Sequence, residues 1–471
     1  MKFSLRPTPF LLAFALTSTA ALVGAPSAQP MLSASEYPSI QEAITRNPGQ
    51  MIFVPAGDYS ISEAIHITTA GSGLWGPGRI IQTNPESEIV TVSGADGVQL
   101  RDITLTRAEG KKEGHHSALS VTKCADPVIA NVRVIDNWSN SNAVSISNCR
   151  RVQVRGCLIQ NYSRISIDDR TASSFMGYAF NCIDGTGLSV SAVTGARIVG
   201  NRVIELRMLP TKELKAKYNL GKYVKKNAVR GWHASPEAWK AEYFNGWHQG
   251  SAIVVNSGET TNFVQIIANY IENAAQGIDI HGDHVIMAQN VINDAFIGMK
   301  AVHGSRNVAI LANQFSKNDL WAINVSPGSA SHAAGGGVEL SHGRHSSAVA
   351  NIDGESIVAG NIISDFGYGR EAWNWNLDTG GMAPLRLGTM GFAERGRPVV
   401  RDVIVQDNVV YDTGRDQVLV DGKPRVEPPR YRYTVKIATG RDMPTGLVIA
   451  HNILDPGTNG IVNPMISPDD R

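Results

Sequence analysis

The sequence has little of several features that mark large classes of protein. Positive and negative charges nearly cancel, since 43 Lys and Arg stand against 42 Asp and Glu, a formal net charge of +1. This balance gives no electrostatic reason to expect nucleic acid as a partner. Aromatic residues make up 7% of the 471 residues, whereas glycine occurs 46 times. Few aromatics and many glycines favour a turn-rich β protein over a helical one.

Cysteine is also scarce, and its distribution excludes a disulfide-rich scaffold. All four cysteines fall between residues 124 and 182, too few and too clustered to hold a chain of this length together. Cys124 and Cys149 occupy equivalent positions of a repeat described below. We therefore expect them to stack on each other, with a bridge between adjacent coils as an open alternative.

Long apolar segments are missing except for one near the start. Lys2 and Arg6 precede an apolar run from Phe10 to Val23, and small residues follow it. This order is typical of a secretory signal peptide, and the run is short for a membrane span. We expect residues 1–28 to be a signal peptide and the exported chain to be periplasmic or secreted. We also expect it to be a monomer without a membrane span.

What the chain does contain is a repeat of two short apolar segments around a small or polar residue, commonly Asn. In VQIIANYIEN, HVIMAQNVIND and NVAILANQFSKN, the central Asn269, Asn290 and Asn313 are 21 and 23 residues apart. Asn131 and Cys157 fall in the same column of this alignment. A period of about 20–30 residues, made of short strands and polar turns, predicts a parallel β-solenoid.

A further segment of each repeat carries an outward column whose chemistry changes along the chain. In ALSVTKC (118–124) and AVSISNC (143–149) the outward residues are Ser and Thr. In GIDIHG (277–282) and GMKAVHG (298–304) they become ionic and histidine-rich, with Asp279 expected beside Lys300 and His281 beside His303. The same column is expected to continue through Asn324, Arg386 and Lys436. Coils about 4.8 Å apart let such side chains touch, and a purely structural surface has no reason to change in this way. The predicted catalytic residues are Asp279, His281, Lys300 and His303, although Asp279 and Lys300 could be only an ion pair between coils.

The segments SIQEAI (39–44) and MIFVPAGDYSISEAIHI (51–67), with the Asn-centred repeats, resemble the right-handed parallel β-helix proteins of the pectate-lyase-like superfamily. The resemblance covers residues 37–463. It implies an all-β, right-handed parallel β-helix over residues 29–471, one domain although the length alone would suit three. An N-terminal helix at 37–47 would cap the open end. The fold hosts lyases, glycosidases, epimerases and adhesins, so it leaves the reaction open.

Three segments interrupt the repeat, at 203–250, 327–354 and 366–398, and are expected to flank a groove. The first is rich in lysine and tryptophan. Basic and aromatic side chains beside an ionic column fit an anionic sugar chain. The predicted substrate-binding residues are Trp232, His233, Trp247, His248, Asn324, Glu339 and Arg386.

Within the superfamily, the β-helical alginate lyases and chondroitinase B allow the most specific comparison. GIDIHG (277–282) is similar to the strand that carries their catalytic Arg, but Ile280 stands in its place. Asn256-Ser257 lacks the intervening catalytic Lys of their second motif. Their mechanism and their calcium are therefore not transferred. No third ligand accompanies the histidines at zinc-like spacing, so we expect no metal and no cofactor.

The charges of this region favour one reaction and leave two alternatives open. β-Elimination at a uronate needs a cation for the carboxylate and a base for the C5 proton. Lys300 could supply the cation, and His281 or His303 could supply the base. We therefore expect an exported enzyme that cleaves an acidic polysaccharide by β-elimination. The alternatives are a glycoside hydrolase with Asp279 and Glu339 as its acid–base pair, and a non-catalytic glycan-binding β-helix.

Overall fold

The structure is a computed structural model. It describes residues 31–168, 178–206, 223–225, 247–248, 250–257, 260–302, 305–326, 338–340, 343–345, 355–368, 382–388, 400–412, 418–420, 423–425, 428–438 and 444–463. The expected signal peptide, residues 1–28, lies outside them. No helix of the described residues is both long and apolar enough to cross a membrane.

Three parallel sheets of 12 strands each make up the body of the molecule. Sheet 1 contains Ile65–Ile67, Val90–Ser93, Leu119–Thr122, Asn142–Ser147, Thr186–Ser191, Ser251–Asn256, Gln276–Ile280, Ile297–Val302, Trp321–Ser326, Ala383–Gly388, Tyr433–Ala438 and Gly460–Val462. Sheet 2 contains Met51–Phe53, Gly73–Trp75, Gln99–Arg101, Val128–Ala130, Gln153–Arg155, Arg197–Val199, Asn262–Ile267, Asp283–Ala288, Arg306–Leu311, Ser356–Ala359, Val403–Gln406 and Val448–Ala450. Sheet 3 contains Asp58–Ile61, Arg79–Gln82, Thr104–Arg107, Arg133–Ile135, Leu158–Gln160, Arg202–Ile204, Tyr270–Glu272, Val291–Asn293, Gln314–Ser316, Ile362–Ser364, Val409–Tyr411 and Ile453–Leu454.

Each coil visits sheet 2, sheet 3 and sheet 1 in turn, so consecutive coils stack strand on strand. Alternate residues of each strand point into the coil, and the apolar ones among them form one continuous buried core. Val90, Leu119 and Val144 pair in register on sheet 1. The parallel β-helix is thereby confirmed, and its crossovers are of the kind that proteins make right-handed.

A short helix, Ile40–Arg46, begins the solenoid and confirms the predicted cap. It follows a 3-10 turn at Ala34–Glu36. Its first turn is stabilised by Ser39, whose hydroxyl accepts a hydrogen bond from the Glu42 backbone amide at 3.1 Å. Gln41 exchanges hydrogen bonds with the backbone of His66, on the first strand of sheet 1. The buried face follows helical spacing and consists of Ile40, Ala43 and Ile44.

The central asparagines form a continuous hydrogen-bonded ladder inside the turn between sheets 2 and 3. Asn290, fully buried, donates from Nδ2 to Asn313 Oδ1 and to the Ile266 carbonyl, each at 2.9 Å. Asn313 Oδ1 also accepts from the Asn290 backbone amide at 3.0 Å. The members are Asn201, Asn269, Asn290, Asn313, Asn361, Asn408 and Asn452. Cys157 shares their column, but Asn131 lies one position earlier, where its φ is 55°.

Outside the three sheets, the described residues form four smaller pairings. Glu113–Gly114 pairs with Trp138–Ser139, Val338–Leu340 with Gly343–His345, and Val418–Val420 with Lys423–Arg425. The backbone of Tyr178–Asp184 pairs with Arg164–Asp168, Tyr223–Lys225 and Trp247–His248. Two predicted interruptions were drawn too wide: Arg202–Ile204 still belongs to sheet 3, and Ala383–Gly388, inside 366–398, belongs to sheet 1.

Candidate active site

The outer face of sheet 1 carries the ionic column in the predicted order. Asp279 pairs with Lys300, Lys300 with Asn324, Asn324 with Arg386, and Arg386 with Lys436. We call these five residues the ionic column. Because in-register strands lie about 4.8 Å apart, the column brings three cationic side chains and one carboxylate onto adjoining coils.

Asp279 is the centre of a three-residue cluster. Its Oδ1 lies 2.9 Å from His281 Nε2, and its Oδ2 lies 3.2 Å from Lys300 Nζ. Asp279 is 6% exposed, and the side chains of His281 and Lys300 are 12% and 19% exposed. A carboxylate in contact with one imidazole nitrogen limits the orientations of the ring, which suits a histidine that transfers protons. The predicted contact between coils is present, and it includes His281 as well as Lys300.

The predicted match between His281 and His303 is wrong. Ile280 pairs with Ala301, so the next position along the neighbouring strand, level with His281, is Val302. In one copy His281 follows the column residue Asp279 by two positions, whereas in the other His303 follows Lys300 by three positions. His303 itself lies outside the described residues.

Arg386 lies at the buried end of a second cluster, two strands beyond Lys300. Its Nη1 donates hydrogen bonds to Asn324 Oδ1 at 3.1 Å and to Ser326 Oγ. Its guanidinium carbon lies 5.2 Å from the ring centroid of Trp321. These contacts hold the head group over the Trp321–Ser326 strand, which adjoins the strand of Lys300.

The Arg386 cation is buried without a carboxylate partner in the described part of the chain. The residue is 4% exposed, and burial lowers the pKa of its guanidinium to about 10. Neither Arg386 Nε nor Asn324 Nδ2 has a hydrogen-bond acceptor among the described residues. Burying an ion without a counterion is unfavourable, so an anion placed against this guanidinium would lower that cost.

Burial changes along the column together with residue type. Thr91, Ser120 and Ser145, near the N-terminal end, are only half-buried. Asn324 and Ser326 are completely buried, like the Arg386 head group beside them. The polar outer face therefore becomes water-poor where it becomes ionic, and electrostatic interactions are stronger there than on an open surface.

Two members of the Arg386 cluster escaped the sequence analysis. Ser326 follows Asn324 by two residues, so strand alternation alone would have placed it beside the column. Trp321 pairs with Ile297, which pairs with Gln276, and a small residue follows each of them. A Cβ on Gly298, one of those small residues, would lie 2.5 Å from the Ala322 carbonyl oxygen. Because these small residues pack inward, the regular in–out alternation of side chains is interrupted there. Trp321 therefore contacts Arg386 instead of the core.

The side chains of the remaining predicted binding residues are not described, so their contacts with the site are not defined. Trp232 and His233 lie outside the described residues. Trp247 and His248 form a two-residue strand opposite Cys182 and Ile183, and Glu339 lies in the strand Val338–Leu340; for these three only the backbone is described. Across the described residues, no group of three His, Cys, Asp or Glu side chains is arranged to hold a metal ion.

The stacked cysteines lie in the core and not at this site. The Cys124 backbone amide lies 3.4 Å from Cys149 Sγ, which confirms the predicted stacking. Cys124, Cys149 and Cys157 are all free thiols. Burial raises the pKa of the Cys149 and Cys157 thiols to about 11.

The similarities of this chain to known proteins are structural and of low sequence identity. No family model matches the sequence, and no curated protein matches it. Similar solved structures include a hyperthermoactive exopolygalacturonase from Thermotoga maritima, at 11% identity and TM-score 0.48, with 86% of each chain covered. A DFA-IIIase from Arthrobacter chlorophenolicus A6 matches at 13% identity and TM-score 0.48, over 92% of this chain and 96% of that one. The Dettilon tailspike protein matches at 12% identity and TM-score 0.48, and the 87% of this chain that matches spans 64% of the tailspike.

At 11–13% identity these similarities do not indicate the activity, which has to be inferred from the residues of this chain. The protein is a parallel β-helix with a buried, partly ionic face on sheet 1.

Proposed function

We propose that the protein is a carbohydrate-active enzyme that cleaves a uronate-containing polysaccharide by β-elimination on the outer face of sheet 1. We further propose that residues 1–28 direct its export to the periplasm or the medium. The observation that carries the proposal is the buried Arg386 guanidinium, which has no carboxylate partner among the described residues.

Arg386 would bind the carboxylate of the uronate. A guanidinium presents a planar fork that matches a carboxylate, and Nε, one arm of that fork, is unoccupied within the described part of the chain. Neutralising the carboxylate is what makes the adjacent C5 proton acidic enough to remove. The water-poor surroundings strengthen this interaction.

His281 would then remove the C5 proton, with Asp279 holding the imidazole in position at 2.9 Å. Lys300, 3.2 Å from the same carboxylate, would stabilise the negative charge that develops on the substrate. Since the Arg386 head group lies over the strand next to that of Lys300, one sugar unit can meet both cations. The electron pair of the C5–H bond forms the C4–C5 double bond as the C4–O bond breaks, and the departing oxygen takes a proton from the protonated His281 or from water.

Hydrolysis is less well supported by the same geometry. A glycosidase needs two carboxyl groups on either side of the scissile bond, about 5–10 Å apart, and Asp279 is the one carboxylate of the ionic column. A general acid must hold a proton and face the glycosidic oxygen, whereas Asp279 is already paired with Lys300 at 3.2 Å and with His281 at 2.9 Å. Only the backbone of Glu339, the expected second carboxylate, is described.

The proposal is tested with a panel of acidic and neutral polysaccharides, monitoring the ultraviolet absorbance of unsaturated products together with new reducing ends. We expect both signals to rise with an acidic substrate. Reducing ends without the unsaturated chromophore would replace the lyase with a glycosidase. Binding without either signal would leave a non-catalytic glycan-binding protein.

His281→Gln tests the role of the base. Glutamine can still donate to Asp279, so we expect the melting temperature to stay within about 1–2 °C while turnover falls at least about 100-fold. Ser120→Ala, on the same face of the same sheet, is the control and should change neither. An active His281→Gln variant would show that the Asp279–His281–Lys300 cluster is structural.

A further inference from the structure

A second column of side chains stands at the corner where each coil passes from sheet 1 to sheet 2. One residue at this corner has a positive φ in every coil that the structure describes there. The strand register places eleven such residues in line, with φ between 51° and 75°: Gly71, Gly97, Asp126, Arg151, Gly195, Phe263, His284, Asn307, Glu355, Asp402 and Gly446. The left-handed region is easy for glycine and acceptable for Asn and Asp.

Phe263 is an unfavourable choice for this corner. A bulky aromatic residue at φ 55° is an outlier that costs free energy relative to Gly or Asn. The side chain does not recover that cost by burial, because Phe263 is 58% exposed. Its ring centroid lies 5.0 Å from that of His284, the corner residue of the next coil. The two rings form an exposed aromatic platform.

Polar groups surround this platform on one side. Asp283, the residue before His284, accepts hydrogen bonds from Arg306 Nε at 2.9 Å and Asn307 Nδ2 at 2.8 Å. The Arg306 side chain is 43% exposed. An apolar face beside an accessible guanidinium suits a ligand that has both an apolar surface and oxygen atoms at its edge.

The platform also lies close to the proposed active site. His284 follows His281 by three residues, a separation of at most about 10 Å even in extended chain. A ligand several sugar units long on the outer face of sheet 1 can therefore reach the platform.

We propose that Phe263 and His284 form a subsite that binds a pyranose ring of the glycan, outside the ionic column. The C–H face of a pyranose is apolar, and its hydrogens complement the negative face of an aromatic ring. Arg306 would contact the hydroxyl or carboxylate oxygens at the ring edge. The inference rests on the proposed function in that its ligand is part of the same glycan chain.

Phe263→Asn tests the subsite without straining the corner, because Asn accepts positive φ more readily than Phe. Binding is measured by affinity electrophoresis in gels that contain polygalacturonate, alginate, hyaluronate or a neutral xylan. We expect Phe263→Asn to weaken retention about three- to tenfold, the range for one aromatic contact, while its melting temperature is unchanged or higher. Phe263→Tyr keeps the ring and should bind as the wild type does. Asp402→Asn alters a corner four coils further on without removing a ring and is the matched control.

The outcomes separate this inference from the proposed function. If the wild type and Phe263→Asn bind an acidic polymer equally, the platform is wrong and the proposed substrate class stands. If the wild type is retained only by xylan, and Phe263→Asn weakens that retention, the platform stands and the acidic substrate is wrong. If the wild type binds none of the four polymers, both are overturned.

Discussion

Replacing Arg386 with methionine should stabilise the free protein and abolish its activity. The buried guanidinium has a pKa of about 10, which corresponds to about 3 kcal/mol of lost hydration of the charged form. The substitution also removes two hydrogen bonds, to Asn324 and Ser326, worth about 1 kcal/mol each. The free energy of unfolding should therefore rise by about 1 kcal/mol, which raises the melting temperature of a chain of this size by about 1 °C.

Arg107 provides the matched control. It is 3% exposed, and burial lowers its pKa to about 10 as well. Arg107 donates to four acceptors, whereas Arg386 donates to two: Asn137 Oδ1 at 2.6 Å and the backbone carbonyls of Asn84, Ser87 and His116 accept from Arg107. Arg107→Met removes its hydrogen bonds to all four acceptors, of which the His116 carbonyl keeps Asn137 Nδ2 as a donor, and should lower the free energy of unfolding by about 3–5 kcal/mol.

Both variants are compared with the wild type by differential scanning calorimetry and by turnover of the identified polysaccharide. The expected shifts have opposite signs, although the two arginines share the same burial and the same direction of pKa shift. A loss of several degrees in Arg386→Met would refute the reasoning, because it would mean that a counterion compensates the cation in the free protein. Arg386→Lys keeps the charge without the fork and should lose most of the activity.

Two further predictions concern the core. Asn290→Ala leaves the buried Asn269 amide and the Ile266 carbonyl unpaired, so it should lower the free energy of unfolding by about 2–6 kcal/mol. Asn452→Ala, at the half-buried end of the ladder, should lower it less in the same thermal melts. Equal losses would contradict a cooperative ladder. With a pKa of about 11, the Cys149 and Cys157 thiols should stay unlabelled by iodoacetamide at pH 8, where the thiolate fraction is about 0.001, and should react once the protein is denatured. Mass spectrometry would detect rapid native labelling, which would contradict their burial.

The period of the sequence was sufficient to predict the fold and part of the site. Strand alternation within a repeat of constant length places Asp279 against Lys300 and, further on, Asn324 against Arg386, because in-register coils leave little freedom in pairing. The same reasoning failed for His303, where the similar His-Gly pairs concealed one additional residue. The end of the strand at Val302 is also the end of the alternation on which the prediction depended.

Other features of the site depend on side-chain direction, which the pattern does not contain. Nothing in the sequence states that Arg386 reaches back over the preceding strand to Ser326, 60 residues earlier in the chain. Trp321 was missed because a tightly packed small residue changes the facing of the strand just after it. Phe263 was missed because its significance appears only when the φ angles of eleven corners are compared.

The strongest argument for a binding function is the contrast between polar groups that the fold satisfies and polar groups that it leaves open. Inside the solenoid, the ladder asparagines use their side-chain donors and acceptors within the chain, and Arg107 is surrounded by acceptors. On the outer face of sheet 1, Arg386 and Asn324 are equally buried, yet each retains a donor without an acceptor among the described residues. Such donors weaken the free protein, and the anionic ligand that accepts their hydrogen bonds would remove that cost.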